Sequence, residues 1–262
     1  MVQEPHQHQE ELEDVLELLE DDPSGLLPDG AGFYAETNPN FFVMEPFNAI
    51  SSLAFLIPVI YFMIKLKGRY KEYSFLTYCM PLLFIGGVGS TLFHAFRISP
   101  LFLIMDFLPI AILTLSVSIY FWVKVLRQKW IVFILIPLFV VMRLSVFSYF
   151  QSDTMALNIS YFITGVMIFV PGLMYLHKTQ YKHSTKLVWT VVLFMLALFF
   201  RRFDFEGMVL MPMGTHWLWH ISCAAGALML GEYLYRVKDL EKEFDTDSYS
   251  EETQEEMRQV RN

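Results

Sequence analysis

Trp130-Ile-Val-Phe-Ile-Leu-Ile-Pro-Leu-Phe-Val-Val141 is the stretch on which the fold turns. It holds no charged residue and is apolar on every face. A helix on the surface of a soluble protein would show a polar face, and a buried strand is usually shorter. In lipid such a segment must be helical, because every backbone polar group needs a partner within its own segment.

Six further apolar runs flank it. With it they lie at about 45–66, 75–96, 101–123, 130–150, 155–176, 186–201 and 214–235, each long enough to approach or cross a ~30 Å hydrocarbon core. The sixth is the shortest. The expected fold class is all-α, an integral membrane bundle of seven transmembrane helices. Composition agrees: 55% of the 262 residues are hydrophobic, 16% aromatic and 18% charged, more apolar side chain than a soluble domain of this size can use. The formal charge of -8 gathers in two tails. Residues 1–32 form an acidic N-terminal tail, 33–237 the membrane domain and 238–262 an acidic cytosolic tail. In the first, Leu12, Val15, Leu16 and Leu19 share one helical face; Glu10–Asp22 is therefore either a short amphipathic helix or a solvated segment. Cys79 and Cys223 both lie in apolar runs and suggest neither a disulfide framework nor a metal motif. The acidic N-terminus lacks the basic region of a signal peptide, so the first membrane helix is expected to direct its own insertion.

Basic residues set the expected orientation. Lys65, Lys67, Arg69 and Lys71 follow the first span, and Lys124, Arg127 and Lys129 the third. Lys178, Lys182 and Lys186 follow the fifth, and Arg236, Lys238 and Lys242 the seventh. The opposite side has Arg97, Arg201 and Arg202, and no Lys or Arg precedes residue 65. The positive-inside rule puts the N-terminus outside or in a lumen and the C-terminus in the cytosol. That suits an odd number of spans. The expected location is a multi-pass integral membrane protein, with the sequence not separating a bacterial plasma membrane from a eukaryotic ER or Golgi membrane.

Ionisable residues within spans mark functional sites. Three of the seven histidines lie there: His94 near the end of helix 2, and His216 and His220 at the start of helix 7. His216 and His220 are one helical turn apart on one face, a spacing at which two imidazoles can share a cation. By topology all three reach the outer part of the bundle. Asp106, one to two turns into helix 3, and Ser90, one turn before His94, arrive at the same depth. Three neutral imidazoles with an open fourth position are the ligand set of a hydrolytic zinc. Asp106 can then orient water or act as general base, or instead hold a histidine tautomer; Ser90 can donate to a developing oxyanion. On the same side lie Glu36, Asn38, Glu45 and Asn48, hard oxygen ligands of the kind calcium takes, although Glu45 also suits a helix N-terminus.

Several stretches carry a family resemblance: Glu36-Thr-Asn38, Glu45-Pro-Phe-Asn48-Ala-Ile-Ser51, Ser90-Thr-Leu-Phe-His94, Asp106, Phe199-Phe-Arg-Arg-Phe-Asp204 and His216-Trp-Leu-Trp-His220. From residue 33 to about 235 the chain resembles the alkaline ceramidases, within the superfamily of seven-helix metal-dependent hydrolases that includes adiponectin-type receptors and GPI-remodelling proteins. The resemblance implies zinc on His94, His216 and His220, with Ser90 and Asp106 catalytic beside it. It implies hydrolysis of the N-acyl amide of ceramide or a related lipid to a sphingoid base and a fatty acid. It also implies calcium on Glu36, Asn38 and Glu45. The chain departs from the pattern at Phe33 and Tyr34, where a ceramidase loop has Asp-Trp, in a loop about two residues shorter between Asn38 and Glu45, and at Ala35 in place of a paired cysteine. The expected partners are the bilayer and a membrane lipid substrate, with no nucleic acid and no obligatory protein partner. The alternative is a receptor or sensor of the same superfamily with a largely structural zinc. A retinal protein is disfavoured because residues 214–235 hold no lysine for a Schiff base. Arg143, deep in the fourth span, is expected to take an interior salt bridge or hydrogen bond.

Overall fold

A computed structural model describes residues 27–150 and 153–261; the Glu10–Asp22 segment lies outside them. Seven long helices are present among the described residues, and no strand. They are α1 (Pro46–Lys65, with a 3-10 turn at Leu53–Phe55), α2 (Ser74–Phe96) and α3 (Pro100–Val125). Then come α4 (Val132–Tyr149, entered by the 3-10 turn Lys129–Ile131), α5 (Asp153–Lys178), α6 (Ser184–Arg202) and α7 (His216–Arg261).

Six of them, α1 to α6, are long and apolar enough to cross a membrane. Their outward faces are what a lipid solvent requires: Ile57, Ile60 and Ile64 on α1, and Phe133, Val141 and Leu144 on α4, are all exposed. These are properties of a multi-pass membrane protein. The seventh helix carries His216, His220 and Glu232 in its first five turns, so its composition is less apolar. It also continues past residue 235 to Arg261, so the 237/238 boundary between membrane domain and tail falls inside one continuous helix.

The helices close into a ring in which α1 packs on α2, α2 on α3, α3 on α5, α5 on α6, α6 on α7 and α7 back on α1. Helix α4 stands outside it, packed chiefly on α5 and only lightly on α3, and is the span least covered by protein. The end of the ring away from the histidines is plugged by Phe62, Leu66, Val117, Phe121, Leu187 and Tyr233. Polar ties reinforce that end, where Glu232 of α7 meets Lys65 and accepts from the Tyr61 hydroxyl at 2.6 Å.

Close approach of α2 to α3 depends on Gly89. A Cβ there would come within 2.4 Å of the Met105 backbone, a distance no relaxed contact allows. This glycine immediately precedes Ser90, and Met105 immediately precedes Asp106, so the close approach is made beside the site itself.

Candidate metal centre

His94, His216 and His220 are all buried, and one ring nitrogen of each lies within 4.8 Å of the other two. Their ring centroids are 4.7 to 5.3 Å apart. The expected trio thus converges from α2 and α7.

The neighbours of two of these rings fix where their lone pairs lie. Ser51 donates its hydroxyl hydrogen to the Asn48 carbonyl at 3.0 Å, and its oxygen is 2.9 Å from His220 Nδ1. A hydroxyl has one hydrogen, so Nδ1 of His220 carries the proton and Nε2 the lone pair. His94 Nδ1 meets the Glu45 carboxylate, which can only accept; its Nε2 is likewise left as the lone-pair nitrogen. The third ring, His216, has a buried Nδ1 with no hydrogen-bond partner. Converging imidazole lone pairs and an orphaned buried nitrogen fit a cation such as zinc.

Glu45 is the hub of the surrounding polar shell. One oxygen accepts from Thr37 Oγ1 at 2.6 Å and meets Arg97 Nη1; the other meets His94 and accepts from Asn48 Nδ2 at 3.3 Å. Burial on its own would raise its carboxyl, but His94 and Arg97 outweigh that and hold it below its ordinary value. Arg97, fully buried, ends α2 in the left-handed region (φ 52°). Its Nε donates to Asp29 at 2.5 Å and its Nη2 to the Gly32 carbonyl at 2.8 Å. Asp29 belongs to the acidic N-terminal segment by sequence, yet it is buried as part of the membrane domain.

A second shell member is Asp204. Its Oδ1 accepts from the backbone N–H groups of Thr215 and His216, both at 2.8 Å, and its Oδ2 from Ala35 at 3.0 Å. It therefore caps the start of α7 and ties the loop before α1 to His216. Gly214 makes this possible: its φ is +67°, and a Cβ would sit 2.4 Å from Asp204 Oδ1. Tyr34 covers the trio, 4.2 Å from the His216 ring and 5.1 Å from His94. Burial pushes its phenol up to about 12, so it stays protonated.

The remaining expected residues divide. Ser90 Oγ is 2.9 Å from Ser52 Oγ, and Ser90 and Asp106 each follow directly on the residues Gly89 and Met105 at which α2 and α3 approach most closely. Asp106 stands outside the cluster of ligand atoms but lines the same cavity as His216. Glu36, Asn38 and Glu45 each have hydrogen-bond partners within the protein. Both Glu36 oxygens accept from the first amides of α1, Phe47 at 2.5 Å and Asn48 at 2.9 Å, while Asn38 Oδ1 accepts from Asn40 N–H at 3.0 Å. Burial raises the Glu36 carboxyl. Glu45 already faces a guanidinium. These side chains do not fit calcium, since their oxygens are engaged within the protein and the buried positive charge beside them belongs to Arg97.

Below the trio, within the ring, lies a cavity of about 1060 Å³ that extends from Tyr34 and Asp106 to Phe62 and Leu234 near the opposite plug. That is at or above the upper end of the roughly 300–1,000 Å³ usual for small-molecule sites. Sequence reading assigned no role to Asp29, Thr37, Ser51, Ser52 or Arg201. Ser51 and Ser52 did carry a signal, as adjacent hydroxyls within an apolar span.

No family model matches the chain, and comparison with curated proteins finds no match.

Proposed function

We propose that this chain is a zinc-dependent membrane amidohydrolase of the alkaline ceramidase kind, cleaving the N-acyl amide of a ceramide or related lipid to an amine base and a fatty acid. The observation that carries the reading is the opening of a long, mostly apolar cavity onto a buried three-histidine cluster in which the tautomers of His94 and His220 are set by their hydrogen-bond partners. His94, His216 and His220 would hold zinc. When bound, zinc polarises a carbonyl and makes water acidic enough to attack it near neutral pH.

The chain's own residues do the rest. Glu45 and Ser51 hold His94 and His220 in the ligating tautomer. Asp106 takes the proton from the attacking water and returns it to the leaving amine, and Ser90, across the close approach of α2 to α3, donates to the oxygen that gains charge. Tyr34, protonated, closes the site from the loop side. Apolar walls from Phe62, Leu83 and Ile168 hold the acyl chain. The seven helices span the membrane with the N-terminus outside or lumenal, as the basic loops favour.

The test is direct. Purified protein in detergent, given N-acyl lipids with a labelled acyl chain, should release labelled fatty acid. His220→Ala should abolish release, and Asp106→Asn should lower it by about 10²–10⁴-fold, the usual share of a general base. Failure to release acid from any N-acyl lipid by a metal-loaded preparation refutes the hydrolase and leaves a receptor or sensor.

A further inference from the structure

Two arginines line the cavity without a carboxylate partner. Arg143 of α4 donates from Nε to the Ser160 hydroxyl of α5 at 2.6 Å. Arg201, at the end of α6, lies over the next residue of α5, with its guanidinium 5.0 Å from the Tyr161 ring centroid and 5.3 Å from Trp219 of α7. Its Nε is buried and has no hydrogen-bond partner. Neither arginine forms an ion pair among the described residues. Both border the same cavity as Asp106 and His216, and both are close enough to the Tyr161 phenol for their charges to act on it.

The contrast with Arg97 is informative. That guanidinium is fully buried at the histidine end, and it meets two carboxylates and a backbone carbonyl. The other acids around the upper cavity are already engaged: Asp204 by three backbone amides, and Glu206 by Arg202 at 2.7 Å. Only Asp106 remains, and it is one charge against two. A charged side chain inside a membrane bundle is costly unless paired or hydrated, and such residues mark substrate paths. The hydrogen bond from Arg143 to Ser160 and the rings of Tyr161 and Trp219 against Arg201 hold the guanidinium planes in place but cannot neutralise them.

We infer that Arg143 and Arg201 form a subsite for an anionic group, a carboxylate or phosphate, on the lipid that occupies the cavity. This rests on the proposed function and sharpens it. The ligand would be an acidic single-chain amphiphile with its chain among Phe62, Leu83 and Ile168, and its anionic group at the α4–α5–α6 wall beside Asp106. A neutral ceramide would leave both arginines unpaired. The anion can come from the headgroup of an intact acidic N-acyl lipid or from the acid released on hydrolysis.

Binding is measured on the full-length protein as purified, in uncharged maltoside micelles, with radiolabelled palmitate and hexadecyl phosphate against palmitamide, which has the same chain length and no charge. Both anions should bind at least about tenfold tighter than the amide, the scale of one charge-assisted hydrogen bond. Arg143→Gln and Arg201→Gln should each bring the acid-to-amide ratio towards one with palmitamide affinity kept, and Arg201→Lys should restore part of the preference. Equal affinity for acid and amide, or a preference unchanged in both Gln variants, overturns the subsite. The Lys variant guards against a mere packing defect, and unaltered palmitamide binding shows that the cavity is intact. Turnover separates the two sources. Faster cleavage of N-palmitoylglycine than of N-palmitoylethanolamine, lost in Arg143→Gln, places the headgroup there; equal cleavage with arginine-dependent palmitate binding places the released acid there. An arginine-dependent preference in a protein that releases acid from no N-acyl lipid keeps the subsite and removes the hydrolase.

Discussion

Arg97 shows how one side chain organises the centre. Its left-handed backbone is unusual for a residue with a Cβ, and its side chain is held, buried, between Asp29 and Glu45. Through Glu45 it bears on the His94 ring, and through Asp29 on the loop before α1. Replacing it with Leu removes one partner of a buried ion network and leaves two carboxylates uncompensated, a loss of about 3–5 kcal/mol. Arg97→Leu should therefore unfold at markedly lower temperature in detergent, with Arg97→Lys between it and the parent. A change within measurement error would show that the guanidinium is dispensable. This role was not legible in the sequence. Arg97 read there as one of three basic residues on the outer side, because nothing local pairs a residue with partners 52 and 68 positions away. His94, His216 and His220 were legible, since an imidazole in an apolar span stands out without a partner in view.

Among the elements, apolar run lengths placed the helices to within a few residues, because in lipid a spanning helix has to be long and continuous. Three features escaped that rule. The 3-10 turn at Leu53–Phe55 directly follows Ser51 and Ser52, the hydroxyls that meet His220 and Ser90; hydropathy carries no trace of it. Helix α7 runs on to Arg261, since acidic and basic residues that favour a solvated tail are also good helix formers. Contact between α2 and α3 at Gly89 depends on the absence of a side chain, which a run of apolar letters does not reveal. Gly89→Ala forces a methyl group against the Met105 backbone and should cost about 1–3 kcal/mol, as overpacking does. Hydrolysis should fall further than stability, because the same displacement parts Ser90 from Asp106. Activity that merely tracks the folded fraction would contradict this.

At the scale of the whole molecule, the ring of six helices with α4 outside it makes an interior that is apolar at one end and polar at the other. The sequence implied a common depth for Ser90, His94, Asp106, His216 and His220 through topology alone. It could not imply the cavity, which is the space left by side chains from all seven helices, nor that Arg143 and Arg201 both border it. Calcium is the expectation the structure does not favour: the short loop turns Glu36 onto the start of α1 and leaves Glu45 to Arg97 and His94.

The central claim is the metal, and elemental analysis of the full chain, purified without chelator, tests it most directly. About one zinc per chain is expected, falling to background in His216→Ala while the variant still elutes as a folded species. Zinc at background in the parent, or an equal amount in parent and variant, would contradict the account.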